Sequence, residues 1–187
     1  MATTTYNFVG INSPSSTHTA FHGAQSGGYP INGGNPSVDF NEETSAQYDQ
    51  IEASENTRRT YEYGDGMYDC FKYRFKIAEA VATVTRIDVT WEGYGYALSN
   101  GANLYIRNNT TPAWELLDTT INGSSDDTLV GAITSGITNY IDGSGYVYAL
   151  AITASEGGCP TPQSGIVCDY VKVDITSISF IPKITWI

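Results

Sequence analysis

The chain has 187 residues, 20 acidic and 9 basic, with a formal charge of −11, and only 16% of its residues are charged. A phosphate backbone or an anionic lipid surface would repel such a chain, because affinity for either depends mainly on Lys and Arg, so neither nucleic acid binding nor membrane insertion is expected. No apolar run approaches the ~20 residues that a membrane helix needs.

The N-terminus, Met1-Ala2-Thr3-Thr4-Thr5-Tyr6, has no basic stretch followed by an apolar one, so it does not read as a signal peptide. A strand is expected over Thr5 to Ile11, followed at residues 12–38 by a surface loop with five Gly and three Pro. Residues Glu42 to Ser54 are the best helix candidate: Asn41 can cap it, and Ala46, Tyr48, Ile51 and Ala53 can form an apolar stripe. Beyond this point, alternation of period two dominates. Phe71 to Ile77 places Phe71, Tyr73, Phe75 and Ile77 on one face and Lys72, Arg74 and Lys76 on the other. Arg86 to Glu92 turns Ile87, Val89 and Trp91 inward.

Shorter strands are expected at Asn103 to Arg107, Trp114 to Asp118 and Asp127 to Ile133, with a weak helical turn over Thr134 to Ile141. Tyr146 to Ile152 is apolar on both faces, as a central strand is, and Val171 to Ile175 alternates again. The chain ends on an apolar run expected to be a further strand over residues 177–187. Turn residues separate the strands, as at Glu92-Gly93-Tyr94-Gly95 and Asp142-Gly143-Ser144-Gly145. The expectation is one all-β domain over 1–187, a two-sheet antiparallel jelly-roll sandwich with one short helix near residues 42–54.

Catalytic constellations are poorly matched. Asp88 and Glu92 share a strand face about 13 Å apart, whereas glycoside hydrolysis needs carboxyls about 5–9.5 Å apart. No Gly-x-Ser-x-Gly elbow accompanies His18 or His22, which would share a face of an extended segment. Binding residues are better represented. Tyr61, Tyr63, Tyr68, Tyr94 and Tyr96 lie in or beside loops, near Asp65, Asp69 and Asn100, and flat rings with polar neighbours grip sugars. The same tyrosines would serve a protein interface. Two acid clusters are candidate calcium ligands, Asp39 with Glu42 and Glu43, and Asp126 with Asp127, although neither has a spaced ligand ladder. Calcium is the cofactor that such acids would bind. Cys159 and Cys168 bracket a loop with two prolines and a glycine and are candidates for a disulfide, while Cys70 reads as a small buried hydrophobe.

The stretch from Phe71 through Gly95, together with Leu104-Tyr105-Ile106, Trp114 to Leu117, Tyr146-Val147-Tyr148 and Asp169 to Val173, resembles the jelly-roll, galactose-binding-like β-sandwich modules of archaeal and bacterial surface and secreted proteins. That resemblance implies a cell-surface, adhesive or virion setting and supplies no catalytic residues. The first functional expectation is therefore a non-enzymatic structural or adhesive surface protein. It would be a subunit of a virion or an extracellular filament, associating with itself or with other surface proteins through edge strands and termini. The alternative is a carbohydrate-binding module, with glycans as partners and calcium as a stabilising ion.

Overall fold

A computed structural model describes residues 1–25, 41–63, 67–96, 101–154 and 165–178. In chain order the strands are β1 (Ala2–Tyr6), β2 (His18–Gln25), β3 (Asn41–Glu42), β4 (Arg59–Tyr61), β5 (Tyr68–Lys76), β6 (Val84–Tyr96), β7 (Ala102–Asn108), β8 (Ala113–Thr120), β9 (Asp127–Ile133), β10 (Tyr146–Thr153) and β11 (Gly165–Ser177). They form two antiparallel sheets. One has the order β1-β11-β6-β9, with β4 also pairing β11; the other has the order β3-β2-β5-β10-β7-β8. This is the expected sandwich.

The alternating strands bury the residues that their sequence assigns to the interior. Ile87, Val89 and Trp91 of β6 and Val171, Val173 and Ile175 of β11 face Phe71, Tyr73 and Phe75 of β5 across one core. β10 lies between β5 and β7. Its inward residues Val147, Ala149 and Ala151 join that core, while Tyr148, Leu150 and Ile152 join a second buried cluster with Cys70, Tyr105 and Trp114. The double-sided apolar pattern of this strand thus reflects burial on both faces.

Several local expectations are corrected. Residues 18–25, expected as loop, form β2 paired to β5 from His18↔Phe75 to Gln25↔Tyr68. The first strand is Ala2–Tyr6 instead of Thr5 to Ile11; its backbone pairs with β11, leaving Phe8 to stack on Tyr48 at 5.1 Å. The expected helix shrinks to one turn, α1 (Ser45–Tyr48), capped by Thr44 and Gln47, while Asn41 lies in β3. Tyr48 and Ile51 are buried but Ala46 is exposed, so the apolar stripe is too short to hold a longer helix on the core. Between Thr134 and Ile141 a 3-10 turn forms at Ile137–Asn139. The Lys72, Arg74 and Lys76 row lies on the outer face of β5, among aromatic rings. Lys72 lies over Phe21 at 5.2 Å, and Arg74 and Lys76 each lie over Tyr146 at 4.8 Å. The expected final strand beyond Ile178 lies outside the described residues.

β6 runs so close to β11 that Gly93 has no room for a side chain. A Cβ there would strike the Val167 carbonyl oxygen and the Trp91 ring. Gly93→Ala is expected to destabilise the fold by about 1–3 kcal/mol through overpacking, read as a lower urea midpoint with unchanged m. An unshifted midpoint would contradict this packing.

Candidate functional site

Period-two alternation in β6 sends Trp91, Gly93 and Gly95 inward and leaves Glu92, Tyr94 and Tyr96 on the outer face of the first sheet. Tyr94 and Tyr96 sit side by side, with ring centroids 6.5 Å apart and planes at 61°. The Tyr96 hydroxyl donates to Glu62 Oε2 at 2.5 Å. Burial, and then that carboxylate, push the phenol well above its usual range. Arg58 places its guanidinium 6.0 Å from the Tyr94 ring centroid. Tyr63, just beyond β4, is 64% exposed. Two half-buried rings, a cation and a carboxylate therefore share one end of this face.

Tyr61 turns the other way, its ring 4.7 Å from His22 and 6.4 Å from Phe71, and burial raises its phenol to about 12. It supports the core and is not free to hold a sugar. Asp69, expected as a hydroxyl ligand, is buried, and its Oδ1 accepts the Tyr63 N–H at 3.1 Å. Tyr68 is half-buried against the second apolar cluster. Asp65 and Asn100 lie outside the described residues.

The two proposed acid clusters fare differently. Glu43 is fully buried and accepts from Arg59 Nε and pairs with His22 Nδ1, each at 2.9 Å. Glu42 Oε1 takes the Tyr48 hydroxyl and the Ser15 N–H, both at 2.9 Å. These carboxylates already have protein donors, and Asp39 lies outside the described residues. His18 is likewise engaged, its Nδ1 accepting the Lys76 N–H at 3.2 Å.

Asp126 and Asp127 point apart. Asp127 Oδ2 accepts from the Thr120 hydroxyl at 2.6 Å. Asp126 Oδ2 accepts from Arg58 Nε and a terminal guanidinium nitrogen at 2.8 and 2.5 Å. Its true neighbours are Glu92 and Asp169: one oxygen from each of the three carboxylates lies within 4.8 Å of the others. Sequence reasoning missed this trio because its members are separated by 34 and 43 positions (126 − 92 and 169 − 126). The one local signal was Asp169 itself, an acid among apolar residues.

Cys168 carries a free thiol inside the core, on the inward face with Ile166, and burial pushes the thiol far up. The structure thus gives no support to the expected bridge from the Cys168 side; Cys159 lies outside the described residues. Cys70 is buried and free, as expected.

A cleft of about 490 Å³ lies further along the same face, lined by Arg86, Asp88, Thr90, Val130, Ala132 and Asp174 among others. Its acids are paired with cations, Asp88 with Arg86 at 2.6 Å and Asp174 with Lys172 at 2.8 Å.

Among the described residues, no helix is long and apolar enough to cross a membrane. No curated protein matches the chain. Among solved structures it is similar to a xylan-binding module CBM15, with a TM-score of 0.43, 11% identity, and 95% of this chain and 99% of that one covered. It is also similar to the CBM36-1 domain of a multidomain xylanase from the hindgut metagenome of Trinervitermes trinervoides, at 0.34, 12%, 96% and 100%. A third likeness is to the enzymatically active domain of bacteriophage CBA120 tailspike protein 4, at 0.40, 9%, 86% and 20%. Likenesses this distant transfer no activity. The match to a family model is more extensive: residues 15–177 fit the AF_1625_C family, described as "Uncharacterized protein, C-terminal domain", and the chain belongs to that family.

Proposed function

We propose that this chain is a non-enzymatic, extracellular carbohydrate-binding module whose ligand lies on the tyrosine end of the first sheet. The observation that carries the reading is the Tyr94–Tyr96 pair, held at 61° by its strand and flanked by Arg58 and Glu62. Ring faces stack on the C–H faces of sugars, and the flanking charged groups supply hydrogen bonds to hydroxyls. Two rings at an angle suit a glycan whose successive units are rotated relative to one another.

The test is a glycan array followed by calorimetry on the best ligand. Tyr94→Ala and Tyr96→Ala are each expected to weaken binding about tenfold, the loss of about 1.4 kcal/mol of stacking and burial. Tyr61→Phe, on the core side, should bind as wild type. An array with no bound glycan, or Tyr94→Ala and Tyr96→Ala variants with unchanged affinity, would remove the proposal. Self-association, or assembly with other surface or virion proteins, would use edge strands and termini, and residues 179–187 of the apolar C-terminal run lie outside the described residues. No observation among the described residues favours it.

A further inference from the structure

Three neighbouring strands bring an acidic trio to one level of the outer face, beside the tyrosines. Glu92 is on β6. On one side, the pairing of β6 with β9 ends at Gly93↔Asp127, so Asp126 comes immediately before the first paired residue. On the other, β11 shifts register between Cys168, opposite Gly93, and Tyr170, opposite Glu92. Asp169 is the extra residue of that bulge. Bulges re-aim side chains in this way.

What distinguishes this trio from an ordinary acidic surface is its buried, unused oxygens. Asp169 is 1% exposed, yet its Oδ1 has no hydrogen-bond partner. The Asp126 side chain is 11% exposed; Arg58 occupies its Oδ2, and its buried Oδ1 also lacks a partner. Buried carboxylate oxygens are costly when unpaired. Against three acids, the cluster is given one cation by Arg58. Burial, with the neighbouring charges of Asp126 and Glu92 adding to it, raises the Asp169 carboxyl against the lowering effect of the Asn56 backbone N–H. The trio is a site short of positive charge.

We infer that Glu92, Asp126 and Asp169 bind one calcium ion, which ties the β11 bulge and the segment leading into β9 to the centre of β6. Oxygens within 4.8 Å of one another can all contact a single ion at metal–oxygen distances of about 2.3–2.6 Å. An all-oxygen, all-carboxylate set selects a hard divalent cation over zinc or copper. Ligands drawn from a bulge and a loop suit the adaptable coordination of calcium better than the strict octahedron of magnesium. Waters complete the shell. The ion leaves the Arg58–Asp126 contact in place, because it uses the other oxygen of Asp126.

The inference is independent of the glycan reading and is tested without a sugar. The chelator-treated chain is titrated with calcium chloride by calorimetry, and its thermal midpoint is followed with calcium and, separately, with magnesium. One site per chain is expected, with a midpoint rise of roughly 5–10 °C at a hundredfold excess over Kd and a smaller rise with magnesium. Asp169→Asn should lower calcium affinity by at least about tenfold while remaining folded by circular dichroism, since it preserves shape and removes a buried charge. Glu92→Gln, at the more exposed corner, repeats the test if Asp169→Asn fails to fold. Wild-type protein that takes up no calcium, or Asp169→Asn and Glu92→Gln variants that bind as wild type, would overturn the assignment. Calcium uptake is read without sugar and glycan binding on the array, so failure of one site is distinguishable from failure of the other.

Discussion

Trp91→Ala is expected to cost about 3–5 kcal/mol, among the largest losses any single truncation in this fold can produce. Trp91 is fully buried on the inner face of β6, and its Nε1–H donates to the Tyr73 hydroxyl at 3.1 Å. Tyr73 comes from the opposite sheet, so the bond joins the two layers. Truncation removes a large apolar volume and also leaves a buried phenol without its indole donor, two penalties with separate origins. Trp91→Phe separates them: it keeps most of the volume, loses the donor, and should cost about 1–2 kcal/mol. Urea melts followed by circular dichroism measure both. Equal losses in the two variants would mean that volume contributes little, contrary to the packing described.

Raising the pH is expected to weaken the fold through Asp69. Its backbone N–H donates to Thr153 Oγ1 at 3.2 Å and its Oδ1 accepts the Tyr63 N–H at 3.1 Å, but its buried Oδ2 has no partner. Burial pushes this carboxyl up to about 7 from 3.8; the Tyr63 N–H opposes the rise, and the nearby Glu62 charge adds to it. The folded chain therefore holds a proton that the unfolded chain releases near pH 4. Between about pH 4 and 7 the native state binds more protons than the unfolded one, so stability falls as pH rises. A shift of about three units corresponds to about 4 kcal/mol, which solvent screening reduces to about 2 kcal/mol. Melts at a series of pH values should show wild type losing that amount relative to Asp69→Asn, with the difference levelling off above pH 7. Parallel pH curves for the two proteins would rule the mechanism out.

Asp69 also illustrates what the sequence could and could not reveal. Placed next to Tyr68 and near Tyr63, it reads as a surface hydroxyl ligand. Its burial follows from its register in β5, between β2 and β10, which no local pattern specifies. β2 was hidden for a related reason. Its inward positions, His18, Ala20, His22 and Ala24, are small or polar, so the alternation that marks β5 and β6 is missing; pairing to β5 holds it in place. The helix over Glu42 to Ser54 failed in the opposite sense. Its residues favour a helix, but only Tyr48 and Ile51 find the core, and one turn suffices to bury them.

The sequence by itself determined the two layers, because a strand with one apolar face must bury that face, and period two can be read from Phe71 to Ile77, Arg86 to Glu92 and Val171 to Ile175 without neighbours. In it Glu92 to Gly95 reads as a turn, with Tyr94 and Tyr96 in or beside loops; the continuation of β6 through Tyr96 is what sets the two rings side by side on one face. Only the tertiary structure decided which tyrosines remain outside and which acids meet. Tyr61 and Tyr63 have the same parity but different fates, and Glu92, Asp126 and Asp169 converge through strand order and a bulge. Side-chain direction is a local property of the backbone, whereas convergence of residues distant in sequence is set by how the sheets pair.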